Sequence, residues 1–470
     1  MARIVVAGGG ICGMAAAMLL ARDGHEVVVL ERDEAPVPAD PDACWASWDR
    51  RSIGQFRIAH LMLPRGYQIL RAELPGVVAR LQEAGGLTYN LVADGLAAIP
   101  GATPREDDAK FETTTGRRPT IEWAFASAAV DEPGVTVRRG VAIRGLLTGP
   151  SRLPGVPHVT GVVLADGEEV TADLVIDATG RRSPTTDWLA ALGGPPPVED
   201  TEDIGFLYMG RFWCSPDGVM PEARAPGLTP CGSISLLTIP SDNCTWSTTI
   251  YTVADDSAMR KIRDPEVFER VWRAFPDHAQ WLDGEPISDM ATMSGAVDRS
   301  RHFVVDGSPI VTGMLTIADA AACTNPSLGR GMSLGLLHTV VMRDVVREHL
   351  ADPATLALAF HAATVDQLDP WHQATKDLDH GRIAEMRAAI DGCQLEPTPE
   401  GQIAGALAGA TSFDADALRW FGELLTCLTL PMELFARPGV FERVLELAPL
   451  VPPPAPYGPD RTQLLELVTR

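Results

Sequence analysis

The stretch from Arg3 to Glu31 constrains the fold more than any other part of the chain. Arg3-Ile4-Val5-Val6-Ala7 is a short β-branched run, the composition of a buried parallel strand. Gly8-Gly9-Gly10-Ile11-Cys12-Gly13 follows at once and fits the pattern G-x-G-x-x-G. Met14 to Asp23 is rich in Ala and Leu, predicts a helix, and stops at Gly24. Glu26-Val27-Val28-Val29-Leu30 then reads as a second strand, ending on Glu31. In this setting Gly8 permits a tight turn, Gly10 lets the backbone approach a pyrophosphate, and Gly13 lets the helix pack closely on the strand. The helix N-terminus turns free amides and a positive dipole end toward the phosphates. Glu31 is placed to accept hydrogen bonds from a ribose diol. Arg32, next in line, either lies along the adenosine or stays solvated. A carboxylate here disfavours a 2′-phosphate, so the ligand is FAD or NAD, and these residues alone do not choose.

Two later segments bear on that choice. Asp173-Leu174-Val175-Ile176-Asp177-Ala178-Thr179-Gly180 is a strand entering a small-residue turn. Leu315-Thr316-Ile317-Ala318-Asp319-Ala320-Ala321 predicts another strand ending in Asp, and Asn325-Pro326-Ser327-Leu328-Gly329-Arg330-Gly331-Met332-Ser333 precedes a helix expected from about 334 to 350. Taken in order, these blocks resemble FAD-dependent monooxygenases of the hydroxybenzoate-hydroxylase-like superfamily. Ser52-Ile53-Gly54-Gln55-Phe56-Arg57-Ile58-Ala59-His60 and Arg117-Arg118-Pro119-Thr120-Ile121-Glu122-Trp123 are similar to segments of bacterial flavin-dependent olefin epoxidases, of the polyether-epoxidase and styrene-monooxygenase-like kind. The sequence departs from that pattern at Ala318, where the family carries Gly, and at Ser52, Gly54 and Ile58.

The resemblance implies an α/β chain: a Rossmann-type, glutathione-reductase-like FAD-binding domain interleaved with an antiparallel-sheet substrate domain, plus C-terminal helices. The FAD-binding domain would be discontinuous, over 1–80, 106–185 and 296–350. The substrate sheet would take 81–105 and 186–295, and the helical region 351–470. Asp319 is placed to hydrogen-bond the ribityl or pyrophosphate region. Gly329, Gly331 and Met332 would offer amides to the negative edge of reduced flavin. Arg118 or Arg50 would offset pyrophosphate charge, and backbone at Val141 would contact adenine. Pro326 and Gly331 are the catalytic positions, through backbone shaping of the oxygen-activating site. His60 is the nearest polar side chain and reads as a structural hydrogen-bonder.

The implied reaction passes one oxygen atom from a flavin C4a-hydroperoxide to an apolar, natural-product-like small molecule, by epoxidation or hydroxylation. No second G-x-G-x-x-G supports a nicotinamide domain, so reduction by NAD(P)H directly and through a partner flavin reductase both stay open. The alternatives are an FAD-dependent reductase of isoprenoid double bonds, a single-component aromatic hydroxylase, and a flavin-binding protein without turnover. Halogenation is disfavoured, because the first lysine is Lys110 and no G-W-x-W-x-I-P segment exists.

Composition removes other classes. With 62 acidic against 39 basic side chains, the formal net charge is -23. Such a field repels nucleic acid and anionic membranes. The eight cysteines form no C-x-x-C pair, and the histidines are isolated, so no metal is expected. With no leader pattern and no long apolar run, the expectation is a cytoplasmic protein without a membrane span. Gly331-Met332-Ser333-Leu334-Gly335 matches G-x-S-x-G but does not directly follow a strand, as a nucleophile elbow must. Phe206, Tyr208 and Phe212 share one face of an expected strand, lining a pocket or, the blander reading, packing a core. Helices are expected over 353–366, 377–390 and 415–430, the last stopped by Pro431. The run Pro452-Pro453-Pro454 precedes a helix-like tail.

Overall fold

The computed structural model describes residues 1–396, 398–452 and 457–470; Pro453 and Pro454 lie outside the described residues. Its centre is a five-stranded parallel sheet, ordered Met314–Thr316, Leu174–Asp177, Arg3–Ala7, Glu26–Glu31, Val135–Arg139. Alternate side chains enter different cores. Ile4, Val6, Val27, Val29 and Ile176 face the helices Ile11–Arg22 and Gly331–His349. Val5, Val28, Leu30 and Val175 face a three-stranded meander, Ile143–Leu153, Val156–Leu164 and Glu169–Thr171. Covering both faces explains why these strands read as unbroken apolar runs. The Asp166-Gly167 turn has Gly167 at φ +97, a conformation that favours glycine.

The second sheet is antiparallel: Leu228–Cys231, Ile234–Pro240, Thr245–Val253, Phe206–Cys214, with Glu285–Pro286 and Ala291–Ser294 along its edge. One face buries Leu207, Met209, Trp213 and Trp246 under the helices Pro265–Arg273 and Arg461–Thr469. The other packs Phe206, Tyr208 and Tyr251 against Met386 of the long helix Asp369–Asp391. Phe206 and Tyr208 are therefore core residues, and Phe212 stacks edge-on against Trp45.

Three expectations need correction. The strand toward Asp319 ends at Thr316, and Ala318–Ala320 is a 3-10 turn with Ala318 at φ +51. An alanine in that left-handed region costs about 1 kcal/mol or more. It is held there because its N–H donates to Nδ1 of His338, 3.1 Å away. The helix Ala415–Leu425 stops before Pro431, with Cys427 left-handed at φ +60. Pro431 then opens a new helix, Pro431–Phe435, where a missing N–H costs nothing. The long helix begins at Asp369 instead of 377, since Pro370 in its first turn is equally tolerated.

The closest approach in the parallel layer lies between helix and strand. A Cβ built on Gly13 would sit 1.9 Å from the Gly8 carbonyl oxygen. Gly13→Ala must therefore push the first helix off the sheet. It should lower the thermal unfolding midpoint by several degrees, a loss of about 3 kcal/mol or more, measurable by calorimetry against wild type.

Candidate active site

The carboxyl ends of the parallel strands open onto one connected cleft of about 3180 Å³. Ordinary ligand pockets hold about 300–1,000 Å³, so this one has room for a dinucleotide and a second molecule. It begins at the glycine turn. Gly8 has φ +102, and a Cβ there would lie 2.5 Å from the Ala178 carbonyl oxygen. Gly10 has extended backbone and nothing within 4 Å of a built Cβ. The first helix starts immediately after it, with no side chain capping its amides. Gly8, Gly10 and Gly13 thus divide into two that let chain segments touch and one that faces open space.

Behind the turn lies a buried charge cluster. Arg50 is 1% exposed. Its guanidinium reaches Glu31 Oε2 at 2.7 Å, Asp33 Oδ2 at 3.1 Å and Glu122 Oε2 at 3.4 Å, and donates to the Gly9 carbonyl at 3.2 Å. Arg50 is neither solvated nor free for a pyrophosphate, because three carboxylates already surround it. Burial lowers its affinity for a proton, but Glu122, Glu31 and Asp33 outweigh that and hold it firmly charged. Glu31 lines the cleft with both oxygens engaged: Oε2 also accepts from Gly9 N at 2.8 Å, and Oε1 from Asp33 N at 2.8 Å. A carboxylate has lone pairs to spare, so a ribose hydroxyl can still be accepted. Val141 lines the same end and donates its N–H to the Glu31 carbonyl at 2.9 Å. Arg32 is exposed at the rim.

Arg118 is the cation better placed for a phosphate. It borders the cleft and binds Glu122 Oε1 through Nε and Nη2, at 2.8 and 2.6 Å, leaving Nη1 unbonded among the described residues. Asp319 also borders the cleft, and no donor among the described residues meets its carboxyl. Burial pushes that carboxyl up, against the pull of Arg181, Arg118 and Arg299. His60 donates from Nδ1 to the Ile58 carbonyl, 2.9 Å away, and burial together with Arg118 pushes it down to about 3. It is a neutral structural residue.

Pro326, Gly329, Gly331 and Met332 line the middle of the cleft. Pro326–Leu328 is a 3-10 turn ended by Gly329 at φ +66, and the helix Gly331–His349 begins two residues later. Arg330 fixes this junction from behind: it is 2% exposed, donating to Thr375 Oγ1 at 3.0 Å and the Leu424 carbonyl at 2.8 Å. Ser333 lies wholly buried within that helix and bonds to the backbone of Leu63, which rules out a nucleophile elbow. The far wall is Leu237, Ile239 and Tyr251 from the antiparallel sheet, with Met293 from its edge strand. Sequence reading singled out Phe206, Tyr208 and Phe212, one strand away. Arg330 and Asp379 were missed as well; Asp379 falls on the buried side of its helix, which spacing could have revealed, whereas Arg330 precedes its helix and carries no such signal. No helix among the described residues is long and apolar enough to cross a membrane. Among those residues no three His, Cys, Asp or Glu side chains gather as for a metal.

The residues fit FAD. The glycine cradle, the open face at Gly10, the unmatched Asp319 carboxyl and the free helix start at Gly331 lie along one continuous surface. Comparison with known proteins bears on the fold. The family profile of the NAD(P)-binding Rossmann-like domain fits residues 6–37. Protein Rv3254 of Mycobacterium tuberculosis (strain ATCC 25618 / H37Rv) is 27% identical over 445 residues, covering 89% of this chain and 88% of its own. Kynurenine 3-monooxygenase of Salinispora arenicola (strain CNS-205) is 26% identical over 401 residues, covering 83% and 81%. The crystal structure of PqsL, a probable FAD-dependent monooxygenase from Pseudomonas aeruginosa, superposes with a TM-score of 0.59 at 16% identity, over 82% of this chain and 99% of PqsL. This chain therefore has the fold of the flavoprotein monooxygenases.

Replacing Arg50 should show what the charge cluster is worth. Arg50→Met leaves Glu31, Asp33 and Glu122 facing one another without their shared cation. Breaking such a buried pair costs about 3–5 kcal/mol, so the variant should unfold at clearly lower denaturant concentration than wild type.

Proposed function

We propose that the chain is an FAD-dependent monooxygenase that places one oxygen atom of dioxygen on a bulky, mostly apolar small molecule, by epoxidation or hydroxylation. One observation carries this reading: a single cleft runs from the glycine cradle past Asp319 and the 326–332 segment to an apolar wall of the second sheet. The relatives named above support it, one of them a monooxygenase by name. Bound FAD supplies the activation of dioxygen that no side chain here can supply.

The chain's own residues supply position and environment. Gly8 to Gly10 and the first helix start hold a pyrophosphate. Glu31 takes the ribose, Arg118 a phosphate charge, and Asp319 a hydroxyl of the ribityl region. Amides from Gly329 to Met332 stand at the start of the Gly331–His349 helix, where a helix N-terminus stabilises negative charge. Pro326, Leu237, Ile239, Tyr251 and Met293 close the space between the two sheets with mostly apolar surface, which excludes water. Epoxidation asks for no base side chain, and the one histidine lining the cleft among the described residues, His60, is pushed down to about 3 by burial and so is a weak base. The electrons come from a nicotinamide, either visiting the cleft or acting through a separate flavin reductase.

Two measurements test the proposal. The Cβ that Gly10→Val adds meets no atom within 4 Å, so the variant should keep the wild-type unfolding midpoint and lose the yellow flavin. A variant that still binds FAD would refute the cradle. FAD-loaded protein, reduced photochemically and then given isotope-labelled dioxygen with a panel of apolar olefins and arenes, should yield product carrying one labelled oxygen atom. Double-bond saturation of a prenyl compound without label would instead make the chain an isoprenoid reductase.

A further inference from the structure

Asp379 is a buried carboxyl that none of the roles above uses. It lies on the helix Asp369–Asp391, in line with Trp371, Thr375 and Met386, the buried stripe of that helix. It is 2% exposed and yet borders the cleft, beside Pro326, Ser327 and Tyr251. Its Oδ1 accepts a hydrogen bond from the Ser327 hydroxyl, in the turn between Asn325 and Gly329. Its Oδ2 is wholly buried and has no hydrogen-bond partner among the described residues. A charged carboxylate with a bare buried oxygen is costly. The neutral form carries O–H on that same oxygen, and then a donor stands at the cleft with no acceptor.

The groups facing Asp379 come from four elements. Arg330 stands at the start of the Gly331–His349 helix, with Nη1 and Nη2 committed to Thr375 and Leu424 and Nε buried without a partner among the described residues. Asp298 lies behind Asn325 and accepts its backbone N–H at 2.9 Å. His380, the next residue, turns outward to Glu202. The phenols of Tyr208 and Tyr251 come from the antiparallel sheet, and Tyr208 donates to Asn325 Oδ1. Burial is the largest influence and pushes Asp379 up to about 7, helped by Asp298 and opposed by the Ser327 hydrogen bond, Arg330 and His380. The neutral donor form is thus abundant at and below neutral pH.

We propose that Asp379 is the hydrogen-bond donor that orients the substrate, its protonated free oxygen meeting an acceptor oxygen, such as a ketone carbonyl, on an otherwise apolar molecule. The word substrate rests on the monooxygenase reading; the donor site does not. It selects molecules that combine a large apolar body with one carbonyl-type acceptor, and their binding weakens as Asp379 ionises with rising pH.

The test uses FAD-loaded protein with carbon-13-labelled aspartate carboxyls, and acetylnaphthalene against ethylnaphthalene as probes. One carboxyl should titrate near neutrality in wild type and be missing in Asp379→Asn. Acetylnaphthalene, followed by equilibrium dialysis, should bind about thirty-fold more weakly at pH 8.5 than at pH 6, because only the neutral fraction is competent. Ethylnaphthalene should show no such dependence. Asp379→Asn keeps an acceptor for Ser327 and a donor for the ketone, so it should retain binding and lose the pH dependence. Asp379→Leu should bind both probes alike. Equal affinity of wild type for the two probes at pH 6, or a pH dependence that survives in Asp379→Asn, overturns the assignment. Protein that takes up no flavin while the carboxyl still titrates would refute the monooxygenase reading and leave the donor site standing.

Discussion

The first helix can rest on the first strand only because Gly13 has no side chain. Its α-carbon stands so close to the Gly8 carbonyl that one added carbon would collide at 1.9 Å. That contact fixes where the helix starts, and hence where its uncapped amides point. Gly10 then faces open space at the carboxyl end of a sheet buried on both faces. A rigid helix start at the edge of the cleft is where the proposed pyrophosphate would be held. Everything that follows along the cleft is positioned from this corner.

The rest of the site comes from segments far apart in sequence, and ionic and hydrogen-bond links bring them to that corner. Arg50, from the early loop, joins Glu31 at a strand end to Glu122 on the helix Arg118–Asp131. Each carboxylate alone would be costly to bury; Arg50 offsets one of these charges and Arg118, paired with Glu122, offsets a second. The turn after Leu174–Asp177 is held the same way, with Asp177 accepting from Thr179 N at 2.9 Å and from the Ser183 hydroxyl at 2.6 Å. The strained Ala318 backbone is held by His338, a buried neutral imidazole that burial pushes down to about 3. A family pattern with Gly at this place avoids that strain; here it is met by a hydrogen bond from a neighbouring helix.

How much of this was legible in sequence follows from how local each signal is. Gly8, Gly10 and Gly13 act within one strand–turn–helix unit, and their separate duties could be assigned from spacing alone. The alternation of Phe206 and Tyr208 correctly put them on one face, but which strand of that face met the cleft was not a local matter: Tyr251, opposite Tyr208 on the neighbouring strand, holds the lining position. Arg50 read as a pyrophosphate cation or a surface arginine because its actual partners stand 17, 19 and 72 residues away. Pro431 marks a boundary in either direction, a stop or a first turn, and nothing local distinguishes the two. Asp379 carried a readable sign: four residues after Thr375 and eight after Trp371, it falls on the buried stripe of its helix. Its importance became visible only with Ser327, 52 residues earlier, against it.

The helices after residue 350 are bound into the site more tightly than a helical tail in sequence would suggest. Arg330 reaches Leu424 and Thr375, Ser327 reaches Asp379, and Lys110 reaches Glu423 at 2.8 Å. Glu423 is drawn down to about 2 because hydrogen bonds from Arg437, Lys110 and Thr429 outweigh its burial. Every one of these bonds crosses from the C-terminal helices to an earlier segment or braces the residue that makes the crossing. The 326–332 segment is consequently gripped on both sides, by the parallel sheet before it and by these helices behind it. A turn gripped in this way cannot shift without breaking buried hydrogen bonds, each costing about 1–3 kcal/mol when one partner is left unmatched. The chain thus uses its last quarter to hold still the stretch of backbone where the proposed ring and a second molecule would meet.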